Sequence, residues 1–290
     1  MDKARLKQDY DINGYVVIDA LLSQDEIATL LAETVAIARG KRGDVRGITP
    51  ASDDQDDDAV LAQYLTVQFP HKASPLIRDD FIAHPKIAEI LSVLIGPDVK
   101  AMQSMLFIKK SGKPGQAWHQ DEYFIPTRDR SLTGVWIALD DAVIENGCLW
   151  VRPGSHRDGI IYDTAPHHSA EFDEGSQLVG TRDDTDDGIA VEVKAGDAVI
   201  FNGYLHHRSL ANRAPAGTFR RALVNHYMSA QSLLPWDWDG RIPATRDMRD
   251  IMMVCGNDPY AYKGIEDITF AFLRAESADD PNADPDKKVF

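Results

Sequence analysis

Two segments of the chain combine a histidine with an aspartate two residues later, His119-Gln120-Asp121 and His156-Arg157-Asp158. Alternate residues of an extended strand point to the same face, so such a pair can supply two ligands of one metal ion. In a chain this rich in aspartate the pattern also arises by chance. The neighbouring sequence must therefore show which of the two segments is a metal site. His156 follows a turn, Arg152-Pro153-Gly154-Ser155, whereas His119 lies in an aromatic, extended run, 116–123. We therefore predict that His119 and Asp121 bind the metal, and that His156 packs locally.

A further histidine follows the apolar run 198–202, in the segment His206-His207-Arg208-Ser209. The segment between this histidine and His119 contains several predicted strands, which give the chain room to return beside the first pair. Two histidines and one carboxylate form a facial triad, which leaves coordination positions open and suits Fe(II) oxygenase chemistry. On residue type alone, either histidine completes the triad.

Two arginines, Arg220 and Arg221, begin an apolar strand predicted over 222–228. A buried guanidinium is costly unless it is paired, and its fork suits a carboxylate. One of the two can hold the far carboxylate of a 2-oxo acid bound to the metal. A structural ion pair with one of the many acids is the alternative.

These residues need elements that bring them together, and the sequence predicts mainly β-structure behind a helical amino-terminal layer. Ser23 with Glu26 is typical of a helix start, and a second helix is predicted over 85–95. Short β-rich runs then alternate with turn clusters; they cover 100–109, 134–142, 148–152, 190–193, 198–202 and 222–228. Short strands without intervening helices favour a jelly roll.

Composition excludes several classes of protein. The chain has 290 residues, 46 acidic and 31 basic, for a formal net charge of -15, which disfavours nucleic acid and anionic membranes as partners. The start is polar and no apolar run approaches the length of a membrane helix, so we expect a cytoplasmic protein. Cys148 and Cys255, far apart, predict neither disulfides nor a zinc knuckle, and both are expected to be buried.

Read in order, several segments together resemble the phytanoyl-CoA dioxygenase family of Fe(II)- and 2-oxoglutarate-dependent oxygenases. They are Met105-Leu106, Trp118–Asp121, Gly134–Ala142, Glu145–Leu149, Pro153–His156, Gly196-Asp197, His207–Ser209 and Phe219-Arg220. The resemblance implies a cupin-like double-stranded β-helix, the family's form of the jelly roll. It also implies a single oxygenase domain over 1–290, with a helical layer to about 98, a jelly-roll core over about 99–230 and an extension over 231–290.

The resemblance also implies the roles of individual residues. His119, Asp121 and His207 resemble the iron ligands, with His207 preferred to His206 because Ser209 follows it by two positions. Arg220, after Phe219, resembles the arginine that binds 2-oxoglutarate. Residues at the remaining family positions are expected to line the cosubstrate pocket; these are Ser209, Met105 and Trp136. Arg208 departs from the family, which usually has glycine there, and it can point either toward the iron or outward.

The expected reaction uses Fe(II), 2-oxoglutarate and O2, and it hydroxylates an unactivated C–H of a small molecule with release of succinate and CO2. Because Asp121 is present, hydroxylation is favoured over halogenation; desaturation and ring formation stay open. The alternatives are a non-catalytic cupin-like protein that binds a metal or small molecule, and a zinc hydrolase. The intact ligand set together with Arg220 favours the oxygenase.

For other polar and aromatic residues, the sequence predicts a location but no role in the metal site. His167 and His168 are expected in a solvated loop, and His226 within or beside the core of its strand. Trp236 and Trp238 either cover the substrate pocket or pack the extension. Residues 163–188 carry eight acids against Arg182, which predicts a neutral or cationic substrate.

Overall fold

The computed structural model describes residues 2–173, 175–181, 188–233, 252–265, 267 and 269–275. The α-helices are α1 (Lys3–Asn13), α2 (Gln24–Ala38), α3 (Asp57–Leu61), α4 (Pro70–Ala73), α5 (Pro85–Leu94) and α6 (Asp121–Phe124). The strands are β1 (Tyr15–Ile18), β2 (Val45–Arg46), β3 (Tyr64–Gln68), β4 (Val99–Lys110), β5 (Gln116–His119), β6 (Thr133–Ala138), β7 (Leu149–Val151), β8 (Thr164–Pro166), β9 (Ser176–Leu178), β10 (Ile189–Val191), β11 (Ala198–Asn202), β12 (His207–Ser209), β13 (Phe219–Ser229), β14 (Met252–Cys255) and β15 (Ala271–Ala275).

The helical layer contains both predicted helices, α2 and α5, and three α-helices that were not predicted, α1, α3 and α4. At the start of α2, Ser23 and Glu26 form a reciprocal capping box, and at the start of α5 the side chain of His84 accepts a hydrogen bond from the Lys86 amide. Helix α1 has a mostly polar sequence in which only Leu6 and Tyr10 are buried. Its apolar periodicity is therefore too weak to predict a helix.

The larger sheet supplies one wall of the core and most of the chain's long strands. Its strand order is β1-β11-β6-β13-β4-β3-β15-β2, and β14 pairs with β4 beside that path. Strand β13 lies between β6 and β4 and is buried along nearly its whole length. His226 therefore has strand backbone on both sides, and Arg220 has it on the side of β4.

The smaller sheet has the order β10-β7-β12-β5. Strand β12 is central and antiparallel to both neighbours, with His207 opposite His119 of β5 and opposite Val151 of β7. The two sheets, of which the larger contains one parallel pair, form the predicted jelly roll, and the return of the chain beside His119 occurs as expected.

The extension contributes strands that the sequence did not predict. Strand β15 lies between β3, to which it is antiparallel, and β2, to which it is parallel. Of the cysteines, Cys148 is buried as predicted, whereas Cys255 is only half-buried. Within the described residues, no helix is both long and apolar enough to cross a membrane.

Candidate metal centre

A cavity of about 770 Å³ is lined by residues of both sheets. All seven residues that the sequence singled out for metal or cosubstrate binding line it; they are Met105, His119, Asp121, Trp136, His207, Ser209 and Arg220. The cavity therefore unites positions that are spread over more than a third of the chain.

Within the cavity, His119, Asp121 and His207 offer ligand atoms that all lie within 4.8 Å of one another. Asp121 Oδ1 lies 3.6 Å from His119 Nε2 and 3.5 Å from His207 Nε2. Two imidazoles and one carboxylate converging in this way are the donor set of a facial triad. Among the described residues, no other group of three or more potential ligands is this compact.

The backbone fixes which ring nitrogen of each histidine faces the centre. His119 Nδ1 lies 2.8 Å from the carbonyl oxygen of Ala117, and His207 Nδ1 lies 3.0 Å from that of Leu205. A carbonyl accepts only, so each Nδ1 donates and each Nε2 keeps its lone pair for a metal. The donor set and its orientation thus fit a first-row metal ion.

Burial and charge set the protonation states that metal binding requires. Burial, with a smaller contribution from His119, lowers the pKa of His207 to about 4, so its imidazole is neutral at pH 7. Burial acts to raise the pKa of Asp121, but His207, His226 and His119 outweigh it, and the pKa lies below the ordinary value. A neutral imidazole and an ionised carboxylate are the ligand forms.

The prediction that His119 and Asp121 lie on the same face of one strand was wrong. His119 ends strand β5, but Asp121 begins helix α6, so the two residues do not share one strand face. Gln120, between them, turns away and donates from its amide to the carbonyl oxygens of Tyr204 and Ile160. The chain bends after the histidine, and the bend brings the carboxylate back toward the same centre.

The two adjacent arginines lie on opposite faces of β13. Arg221 faces away from the cavity and pairs with Asp140 at 2.7 Å and with Asp58 at 3.0 Å. Arg220 is 3% exposed, lines the cavity, and has no carboxylate within ion-pair distance among the described residues. Its guanidinium carbon lies 5.6 Å from the centre of the Trp136 ring, and its Nε has no hydrogen-bond partner. Burial lowers its pKa to about 10, so Arg220 keeps its charge at pH 7.

A buried lysine, Lys109, lies opposite Arg220 in the register of β4 and β13. Its Nζ donates to Ser209 Oγ at 2.9 Å and to the carbonyl oxygen of Leu210 at 2.7 Å. Burial and the neighbouring guanidinium lower the pKa of Lys109 well below its ordinary value. Sequence reasoning missed this residue, because a lysine at the end of a strand usually faces solvent.

The remaining polar residues of interest face elsewhere. His206, which precedes β12, is buried but does not line the cavity, and its ring lies 5.2 Å from the ring of Tyr162. Arg208 also points away from the cavity and stacks on Trp118 and Trp150, at 4.6 and 5.4 Å. His156 lies in a short 3₁₀ helix with its Nε2 3.1 Å from the carbonyl oxygen of Asp11 in α1, so it packs against a distant part of the chain and the prediction of local packing was wrong.

Two histidines were underestimated. His167 is half-buried, lies with its ring 5.6 Å from the ring of Phe172 and lines the cavity, so it is not simply solvated; His168 is exposed as predicted. His226 also lines the cavity, and its Nε2 donates to Asp121 Oδ2 at 2.8 Å. The sequence signal for His226 as a cavity residue was its position six residues after Arg220 on the same strand, which places both residues on one face. Trp236 and Trp238 lie outside the described residues.

Comparison with known proteins adds independent findings. The model of the phytanoyl-CoA dioxygenase family matches residues 10–222. Phytanoyl-CoA dioxygenase domain-containing protein 1 of Danio rerio is 34% identical over 183 residues, which is 61% of each chain. Peroxisomal phytanoyl-CoA dioxygenase of Rattus norvegicus is 32% identical over 234 residues, covering 76% of this chain and 67% of that one. The matched segment thus spans less than two thirds of the Danio rerio relative.

Among solved structures, the epimerase SnoN in complex with Fe3+, α-ketoglutarate and nogalamycin RO has a TM-score of 0.60 and 22% identity. The alignment covers 80% of this chain and 85% of that one. At this identity the likeness establishes a shared fold, the jelly roll described above.

Proposed function

The chain belongs to the phytanoyl-CoA dioxygenase family, and we propose that it is an Fe(II)- and 2-oxoglutarate-dependent dioxygenase acting as a single oxygenase domain. The proposed reaction hydroxylates an unactivated C–H of a small molecule and releases succinate and CO2. The observation that carries the proposal is Arg220, a buried guanidinium without a carboxylate partner among the described residues, in the same cavity as a two-histidine, one-carboxylate group.

In this proposal His119, Asp121 and His207 hold Fe(II) through two Nε2 atoms and one carboxylate oxygen. When bound, Fe(II) supplies the activation of O2 coupled to the oxidative decarboxylation of 2-oxoglutarate. The chain's own contribution is to keep both imidazoles neutral and correctly turned through the carbonyl oxygens of Ala117 and Leu205.

Arg220 binds the distal carboxylate of 2-oxoglutarate. A guanidinium offers two parallel donors to a carboxylate, and in a buried site such a pair is much stronger than at the surface. Lys109 holds the Ser209 hydroxyl at the same wall, opposite Arg220 in the register of β4 and β13. Met105 and Trp136 line the cavity beside them and exclude water from the pair.

A neutral or cationic substrate stays a prediction from the acidic residues of 163–188. Of the acids in 163–188 that the structure describes, Glu171 pairs with Arg213 and Asp173 pairs with Arg274. The charges of these two acids are therefore already balanced. Incubation with a metabolite extract under O2, with mass spectrometry for products that gain one oxygen together with succinate, identifies the substrate and its charge. Cytoplasmic location likewise stays a prediction from sequence.

The decisive test of the activity is an anaerobic titration of the protein with Fe(II) and then 2-oxoglutarate. We expect the visible charge-transfer band of a 2-oxoglutarate chelate, together with succinate formation once O2 is admitted. A protein that binds the metal without giving the band is instead a cupin-like binding protein. Hydrolytic turnover with Zn(II) that needs neither O2 nor 2-oxoglutarate indicates the zinc hydrolase.

A further inference from the structure

The two oxygens of the Asp121 carboxylate have different surroundings. Oδ1 faces the centre, at 3.6 and 3.5 Å from the Nε2 atoms of His119 and His207. Oδ2 faces β13, where it accepts a hydrogen bond from His226 Nε2 at 2.8 Å. Only one of the two oxygens is therefore free to bind a metal.

His226 is held firmly in the position from which it makes this contact. It is 2% exposed, and in the larger sheet it lies opposite Gln103 of β4 and Gly134 of β6. Among the residues that the structure describes, its Nδ1 has no hydrogen-bond partner, and the contact with Asp121 is the one hydrogen bond that its ring makes with them. Because a carboxylate only accepts, Nε2 must carry the proton, which fixes the tautomer of the neutral ring.

A carboxylate can bind a metal ion through one oxygen or through both. Binding through both takes an additional coordination position, and an oxygenase centre needs its open positions for the cosubstrate and O2. A hydrogen bond to the second oxygen opposes two-oxygen binding, since that oxygen must leave a buried donor to reach the metal.

We propose that His226 is a positioning residue that restricts Asp121 to one-oxygen binding and thereby keeps a coordination position open for 2-oxoglutarate. This inference rests on the proposed function for the identity of the cosubstrate. A purely structural hydrogen bond would stabilise the fold and the metal site but would leave 2-oxoglutarate binding to the metal-loaded protein unchanged.

The experiment compares His226→Leu, which removes the donor, with His226→Gln, whose amide nitrogen can take the place of Nε2. His226→Asn is polar but too short to reach Oδ2, and it replaces the leucine variant if that protein does not fold. His71→Leu is the matched control, because His71 is a buried histidine that contacts Ser104 Oγ and does not line the cavity. The probes are Co(II), whose absorption spectrum reports coordination number, and 2-oxoglutarate added anaerobically to the Fe(II)-loaded protein.

We expect His226→Leu to bind 2-oxoglutarate about 10–100-fold more weakly once loaded with Fe(II), the range for loss of an outer-shell partner. Its Co(II) spectrum should shift relative to the wild type, while His226→Gln and His71→Leu keep wild-type 2-oxoglutarate affinity and spectrum. Wild-type 2-oxoglutarate affinity in a folded His226→Leu or His226→Asn protein overturns the inference, as does loss of affinity in His226→Gln equal to that in His226→Leu.

Failure of the proposed function gives a different result. In that case the wild-type protein binds Co(II) but forms no 2-oxoglutarate chelate with Fe(II). The Co(II) spectra then decide the binding mode of Asp121 by themselves: a shift on loss of the donor supports one-oxygen binding in the wild type, and identical spectra contradict it.

Discussion

The cavity face and the outer face of strands β12 and β13 carry similar polar residues in different surroundings. On the outer face, Arg221 pairs with Asp140 and Asp58, and Arg208 stacks between two tryptophans. On the cavity face, Arg220 has no carboxylate partner among the described residues, although it is the more deeply buried of the two arginines.

The difference indicates which face is built for a ligand. A buried charge without a partner is strongly destabilising, so folded proteins pair such groups unless something else binds them. On the outer face, the charge of Arg221 is paired within the chain itself. The cavity face holds charges and lone pairs that a metal ion and a dicarboxylate would satisfy, and paired substitutions across the two faces test this distinction.

The largest expected effect separates the two His-x-Asp motifs. Asp121→Ala removes a proposed ligand, and we expect iron affinity to fall by more than the about 10–100-fold typical of losing an outer-shell partner, with no measurable succinate formation. Asp158 accepts a hydrogen bond from the Tyr162 hydroxyl outside the cavity. Asp158→Ala should keep iron content and turnover near those of the wild type. Loss of iron in Asp158→Ala but not in Asp121→Ala would mean that the second motif, and not the first, binds the metal.

The adjacent histidines His206 and His207, the second of which begins β12, provide the next comparison. His207→Ala should lower bound iron, measured per folded protein, nearly as much as Asp121→Ala, because it removes a second donor. His206→Ala loses a buried ring that packs on Tyr162, so its thermal stability should fall while its iron content stays at the wild-type level. Equal iron loss in both variants would contradict the assignment.

For the arginines, the expected effect is on the affinity for 2-oxoglutarate. Arg220→Ala should weaken 2-oxoglutarate binding by about 2–5 kcal/mol, or about 30-fold or more, as for a buried charge that loses its partner. Iron content should remain unchanged. Arg221→Ala breaks ion pairs on the outer face, and its affinity for 2-oxoglutarate, measured by anaerobic titration, should match the wild type.

The smallest effect is expected at Arg208. Arg208→Ala removes the stacking on Trp118 and Trp150, and its free energy of unfolding should fall by about 0.5–2 kcal/mol. Chemical denaturation measures this loss. The 2-oxoglutarate affinity should not change, whereas a large gain or loss would mean that the guanidinium acts inside the cavity.

Much of the centre could be predicted because strand alternation is regular. Residues two apart on a strand share a face, which places His207 with Ser209, and one register then sets these residues against β5. The choice between neighbours, as for Arg220 and Arg221, came from the family resemblance. Local periodicity gives the alternation but does not say which of the two faces is inward.

Other features depend on contacts that no local pattern encodes. The helical turn at Asp121 follows from Gln120, whose amide bonds to distant carbonyl oxygens. The contact between His226 and Asp121 joins residues 105 apart in sequence. Strand β15 was missed because a short apolar run far along the chain gives no sign of its partner strands. Each is a tertiary interaction, and a single sequence does not show which distant residues come into contact.

The position of β15 has a consequence for how the protein is made. This strand fits between β3 and β2, which come from the opposite end of the described chain, and Phe272 and Arg274 within it line the cavity. During synthesis from the amino terminus, β2 and β3 emerge long before the strand that joins them. Until β15 is released, part of the cavity wall is missing. The cavity is therefore completed only late in synthesis, and metal loading should follow completion of the chain.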